Sequence, residues 1–175
     1  MGRSGFWIRA GATAIDVIVF LVFAVTIDVA QQVLEARGEL TDLKQRGLDA
    51  MLVMLWLAYS SMEAIIGATA GKLACGIMIT LPDGAGAPPW TRILRWSTKQ
   101  FGFALQLVWL LSDQPLLYVL GGLVNFLLLL GCLRALGEEK RAWHDLWSHT
   151  AVVTRTRAAQ MRDVHEEALG PPTPT

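Results

Sequence analysis

The sequence predicts an all-α integral membrane protein with four transmembrane helices and a short cytoplasmic β-hairpin-like element. Three observations predict it. Of 175 residues, 53% are hydrophobic and only 17% charged, and the mean hydropathy of +0.42 is too high for an ordinary soluble domain. Apolar runs long enough for a hydrocarbon core of roughly 30 Å alternate with charged or Gly/Pro-rich segments. Basic residues also gather in three groups, and placing all three in the cytoplasm requires an even number of crossings between them.

The first element is the run from Ile8 to Val33, long enough for a tilted span. A cleaved signal peptide is disfavoured, because Asp16 would sit in its apolar stretch and no small-x-small site follows. EARGELTDLKQR forms a loop, and Leu48 to Gly67 is the second span. GKLACGIMITLPDGAGAPPWTRILRW is extramembrane, with GIMIT a β-compatible run and LPDGAGAPP a turn. Residues 101–111, FGFALQLVWLL, are too short to cross alone.

The charge groups decide how residues 101–111 are read: Arg3 and Arg9; Lys72, Arg92, Arg95 and Lys99; Arg134, Lys140, Arg141, Arg155 and Arg157. Keeping all of them inside makes residues 101–111 cross, extended by WTRILRWSTKQ, with both termini cytoplasmic. The fallback is three spans, with this run lying in the interface. SDQP turns the chain, LLYVLGGLVNFLLLLGCL is the last span, and TAVVT is expected to pair with GIMIT. The membrane domain is read as 1–157, followed by a disordered cytoplasmic tail over 158–175.

Charged residues inside spans are costly and should face inward in pairs. Arg9, Thr13 and Asp16 fall on one helical stripe, and Trp56, Tyr59, Ser60, Glu63 and Gly67 on another. Arg9 and Glu63 lie at similar depth, and because the GIMIT–TAVVT pairing would bring Asp145 underneath the first helix, Arg9 is expected to bridge Glu63 and Asp145 at the cytoplasmic mouth. Asn125, on the Gly121–Gly122 face of the last span, is expected opposite Asp16 near the midplane. The glycine face allows close contacts within or between protomers. His144 beside Asp145 suggests protonation coupling. Trp7, Trp90, Trp96, Trp143 and Trp147 read as an interfacial belt, and Asp28 as an interfacial residue.

Several chemistries find no support. Net charge is zero, with no basic field for nucleic acid. Cys75 and Cys132 are isolated, His144 and His149 are five apart without further ligands, and no metal, disulfide or cofactor is expected. GATAGKL lacks the spacing and the hydroxyl of a phosphate-binding loop; instead Gly67 and Gly71 let the helix end and turn, while Lys72 meets headgroups or Glu63. No nucleophile elbow, HExxH or extramembrane carboxylate pair suggests an enzyme.

GFWIRAGATAIDVIVF, YSSMEAIIGATAGKLACGIMITLPDG, ILRW and RAWHDLWSHTAVVTR occur in the order found in the RDD family of small bacterial membrane proteins, which the chain resembles from about Gly5 to Thr154. The family is named for one arginine and two aspartates, which correspond to Arg9, Asp16 and Asp145. Ala70 stands where proline is common and His149 where glycine is common, which sets aside the usual residues of a tight turn there. The resemblance implies a multi-pass protein of the bacterial inner membrane. It further implies transport of a small solute or ion, with cation/proton exchange the sharpest version. The expected site is Arg9, Asp16, Glu63, Asn125, His144 and Asp145; the expected partners are the lipid bilayer, a monovalent cation or proton, and a second copy or another membrane protein. The other reading is a non-transporting assembly or scaffolding protein whose buried charges only lock the helices.

Overall fold

In a computed structural model, residues 4–161 are described. The first helix, α1 (Phe6–Ala36), runs for 31 residues. After a short link, α2 (Asp42–Ser60) begins with the Thr41 side chain accepting from the Lys44 amide. It bends at Ser61 into α3 (Met62–Ile66), which ends at Gly67 with φ +80. That left-handed residue reverses the chain into α4 (Ala70–Ala74), followed by β1 (Ile77–Thr80). Prolines open α5 (Pro89–Ser112) and α6 (Pro115–Leu133), where their missing amides cost nothing. A 3-10 turn (Arg134–Leu136), α7 (Trp143–Trp147) and β2 (Ala151–Thr154) complete the domain.

Three stretches are long and apolar enough to cross a membrane: Phe6–Ala36, Asp42–Ile66 and Pro115–Leu136. The fourth long helix, α5, joins residues 101–111 and the preceding WTRILRWSTKQ into one rod of 24 residues, roughly 36 Å at 1.5 Å per residue. It is long enough but less apolar. It runs between the same two ends of the bundle as its neighbours: Arg95 meets Asp145 near one end, and Asp113 meets Arg46 at the other.

Strands β1 and β2 pair antiparallel, Ile77 opposite Thr154 and Thr80 opposite Ala151. The GIMIT–TAVVT expectation therefore holds. The Ser4 amide donates to the Val152 carbonyl, tying the sheet to the entry of α1. Nearly all buried apolar side chains gather here, among them Ile77, Ile79, Val152, Val153, Ala68 and Ala12. Away from this sheet end, large apolar side chains point outward, such as Val22 and Val25 of α1 and Leu116 and Leu129 of α6. Outward-facing apolar rods with a polar interior fit lipid as the solvent.

Close helix contacts use glycine. A Cβ on Gly102 would collide with the Asn125 side chain, and one on Gly121 would stand 2.8 Å from the Gly102 carbonyl oxygen. The α5–α6 crossing thus consumes Gly121 within the protomer, and Trp143 covers Gly131, while Gly122 faces open space. The bundle interior holds an aromatic layer: Trp56 lies 5.2 Å from Phe20 and 5.9 Å from Phe103 between ring centroids. Trp7, Trp90 and Trp147 are well exposed at the sheet end, as an interfacial belt requires, but Trp96 turns inward to donate to Ser60 Oγ. The tail beyond 161 lies outside the described residues; residues 155–161 are helical.

Candidate functional site

Asp16 is buried where α4 docks on α1. The reversal at Gly67 and the extended Thr69 bring non-helical backbone against α1, where its freed donors need acceptors. Asp16 supplies them. Its Oδ1 accepts from the Tyr59 hydroxyl at 2.6 Å and the Gly71 amide at 2.9 Å, and its Oδ2 from Thr69 Oγ1 at 2.6 Å. The approach depends on Gly71, whose Cβ would run into the Ala12 carbonyl oxygen and stand 2.7 Å from Asp16 Oδ1.

Toward the sheet lies a charge cluster assembled from α1, α3, α4, α5 and α7. Glu63, 1% exposed, accepts from Arg95 on Oε1 and from Lys72 on Oε2. Lys99 donates to the same Oε2 at 2.7 Å. Arg95 reaches the other way as well, its Nε 2.8 Å from Asp145 Oδ1. Asp145 is wholly enclosed, with Oδ2 accepting from Arg9 Nη1 at 2.7 Å and from the Ala142 amide at 3.2 Å. Arg9 spends its remaining donors on the Ser4 and Lys140 carbonyls. Arg9, Lys72, Arg95 and Lys99 outnumber Glu63 and Asp145 by two charges.

This geometry corrects four expectations. Arg9 meets Asp145 but not Glu63, whose partners come from α4 and α5. Asp16 faces Tyr59, Thr69 and Gly71 instead of Asn125, because α4 occupies that side of α1; Asn125 packs over Gly102. Thr13 is exposed, and the inward stripe of α1 is Arg9, Ala12 and Asp16. His144 accepts from Arg95 Nη2 through Nε2 at 3.1 Å, which puts the proton of its neutral ring on Nδ1. Burial first and Arg95 second hold its pKa well below 6.5, so it stays neutral near pH 7.

Two other groups outside the spans are shifted. Burial alone would raise the Asp145 pKa, but Arg95, His144 and Arg9 outweigh it and hold it well below the usual carboxylate range. Burial pushes the Lys72 ammonium down to about 7; Glu63 resists this, while Lys99 and Arg95 add to it. Lys72 is thus the member of the cluster whose charge changes near neutral pH. Among the described residues no group of three or more His, Cys, Asp or Glu could hold a metal.

Sequence reasoning placed Arg95 and Lys99 only as topological charges and missed them as Glu63 ligands. Their signal was the spacing of four on α5, which puts both on one face. His149, exposed, adopts φ +51, so the turn before β2 forms in a left-handed conformation without its usual glycine.

The arginine and two aspartates of the expected motif thus sit at defined positions in one polar interior. The RDD family model matches residues 3–149. The chain belongs to the RDD family. No curated protein and no solved structure matches it. Family membership and the three apolar helices make it a multi-pass membrane protein. In this RDD protein, Arg9 and Asp145 form one ion pair, while Asp16 holds the docked α4.

Proposed function

We propose that this RDD protein moves a small solute or ion across the bacterial inner membrane, with the Glu63–Lys72 cluster as its cytoplasmic mouth. In this reading α5 is a fourth span and both termini are cytoplasmic. Support comes from the positive-inside rule: Lys72, Arg92, Arg95, Lys99, Arg134, Lys140, Arg141 and Arg155 all belong to the sheet end.

The observation that carries the proposal is Lys72, an enclosed ammonium with its pKa near 7 sharing Glu63 Oε2 with Lys99. Loss of its proton removes one of two ammonium partners from that oxygen. A monovalent cation arriving there restores the charge, which is the elementary step of cation/proton exchange. We assign this step to Glu63 rather than Asp16, because one of the three donors on Glu63 is an ammonium that can release its proton near neutral pH, whereas Asp16 is held by two hydroxyls and a backbone amide. The filling of both Asp16 oxygens favours the second reading, a non-transporting assembly protein in which the network only locks helices.

Reconstitution in liposomes with a pH-sensitive dye and a panel of monovalent cations separates the two. Transport predicts cation-dependent proton movement by wild type and its loss in a folded Lys72→Gln protein. Absence of flux from well-folded wild type refutes exchange and leaves the assembly reading. Labelling a cysteine at Gly86 tests the topology: access from the periplasm overturns it.

A further inference from the structure

Helix α5 lays Arg92, Arg95 and Lys99 along one face at spacings of three and four. Arg95 and Lys99 are engaged by Glu63 and Asp145. Arg92 is not. Its side chain lies flat over Gly67, with Cδ and Nη1 each 3.6 Å from the place a Cβ would occupy, at the C-terminal end of α3. The helix end favours a cation there. Yet among the described residues no acceptor receives a hydrogen bond from this guanidinium, and its Nε is shut off from water without a partner. A guanidinium carries five donors in a rigid fork; here only Nε is closed off, and Nη1 and Nη2 stay open to a ligand from outside.

Among the described residues no carboxylate pairs with it, and Glu63 and Asp145 in the neighbouring cluster are taken by Arg9, Lys72, Arg95 and Lys99. The surroundings say what kind of anion comes from outside. Ile65 and Ile66 on α3 and Ile93 on α5 are exposed apolar side chains on the same turns. Trp90, 70% exposed, marks the level as a membrane interface. An oxyanion that meets a guanidinium fork while its own body lies on isoleucine is a phosphate esterified to an apolar tail.

We propose that Arg92 binds the phosphate of an anionic phospholipid headgroup, with the acyl chains lying against Ile65, Ile66 and Ile93. The excess charge of the neighbouring cluster selects an anionic over a zwitterionic headgroup. This site stands apart from the transport proposal and holds whether or not any solute moves.

The test is retention of lipid by the purified full chain, read by native mass spectrometry and by thermal stability in nanodiscs of phosphatidylglycerol or phosphatidylcholine. Wild type should favour phosphatidylglycerol, and Arg92→Gln should weaken that preference about five-fold, the effect of one basic side chain at a surface. Arg92→Lys should keep part of it. Arg46→Gln, whose partner Asp113 lies at the opposite end, should leave it unchanged. Equal retention of both lipids by wild type, or an undiminished preference in Arg92→Gln, overturns the site. Protection by inorganic phosphate alone, with phosphatidylglycerol no better than phosphatidylcholine, overturns the lipid as its source. Because no ion gradient is present, the result is independent of the flux experiment.

Discussion

Replacing Asp16 separates the docking of α4 from every other contribution to the bundle. Asp16→Ala leaves three donors without an acceptor: the Tyr59 hydroxyl, Thr69 Oγ1 and the Gly71 amide. At roughly 1–3 kcal/mol for each buried unsatisfied group, the buried Thr69 and Gly71 donors together cost about 2–6 kcal/mol, a large share of the stability of a small domain, while the part-buried Tyr59 hydroxyl turns to water. Asp16→Asn keeps Oδ1 for Tyr59 and Gly71 and offers its amide to Thr69, whose hydroxyl can turn to accept. It forfeits only the assistance of charge, about 1 kcal/mol per bond, so about 2–3 kcal/mol in all. The reporter is Cys75, which follows α4 and packs against the Ala12–Ile77–Val152 core. In a Cys132→Ala background, maleimide should label Cys75 much faster in Asp16→Ala, modestly faster in Asp16→Asn, and slowly in wild type. Unchanged labelling and unchanged thermal unfolding in Asp16→Ala would refute the docking role.

Other outcomes follow from the same contacts. Gly71→Ala drives a methyl into the Ala12 carbonyl and toward Asp16, so it should mimic Asp16→Ala in the Cys75 labelling assay although it removes no polar group. At His149, where φ is +51, glycine should hold or raise the melting temperature, whereas valine, for which that conformation is an outlier, should lower it. Stability should rise with pH between about 7 and 10, because the unfolded chain protonates Lys72 fully there while the folded chain does so only below about 7. Lys72→Met should flatten that slope. On the acid side, the unfolded chain takes up a proton at His144 below about 6.5 that the folded chain refuses. Stability should therefore fall from there downward, and fall again as Asp145 is protonated below the ordinary carboxylate range.

Three of the spans were legible because apolar runs of the right length leave few alternatives, and the sheet because two β-branched runs outside helices need backbone partners. Arg9 with Asp145 followed from that pairing, which carries α7 beneath α1. Partners across helices were less legible. Periodicity placed Glu63 on an inward face but could not say which neighbour met it, since helix rotation and α4 docking are set by packing. The strongest local cue, Gly67 and Gly71 around Thr69, was read as a turn. Its consequence, a short helix pressed onto Asp16, depends on a glycine approach that no linear pattern reveals.

The β1–β2 pairing also sets an order of events in synthesis. Ser4, β1 and β2 meet in one buckle, and Asp145 and β2 follow every long helix in the chain. Until they are made, Arg9 lacks its carboxylate, and Arg95 has only Glu63 of its two. Strand β2 therefore works as a latch that closes only after the helices it locks have been made. A chain that stops before residue 145 leaves Arg9 without its carboxylate and the entry of α1 untied from the sheet.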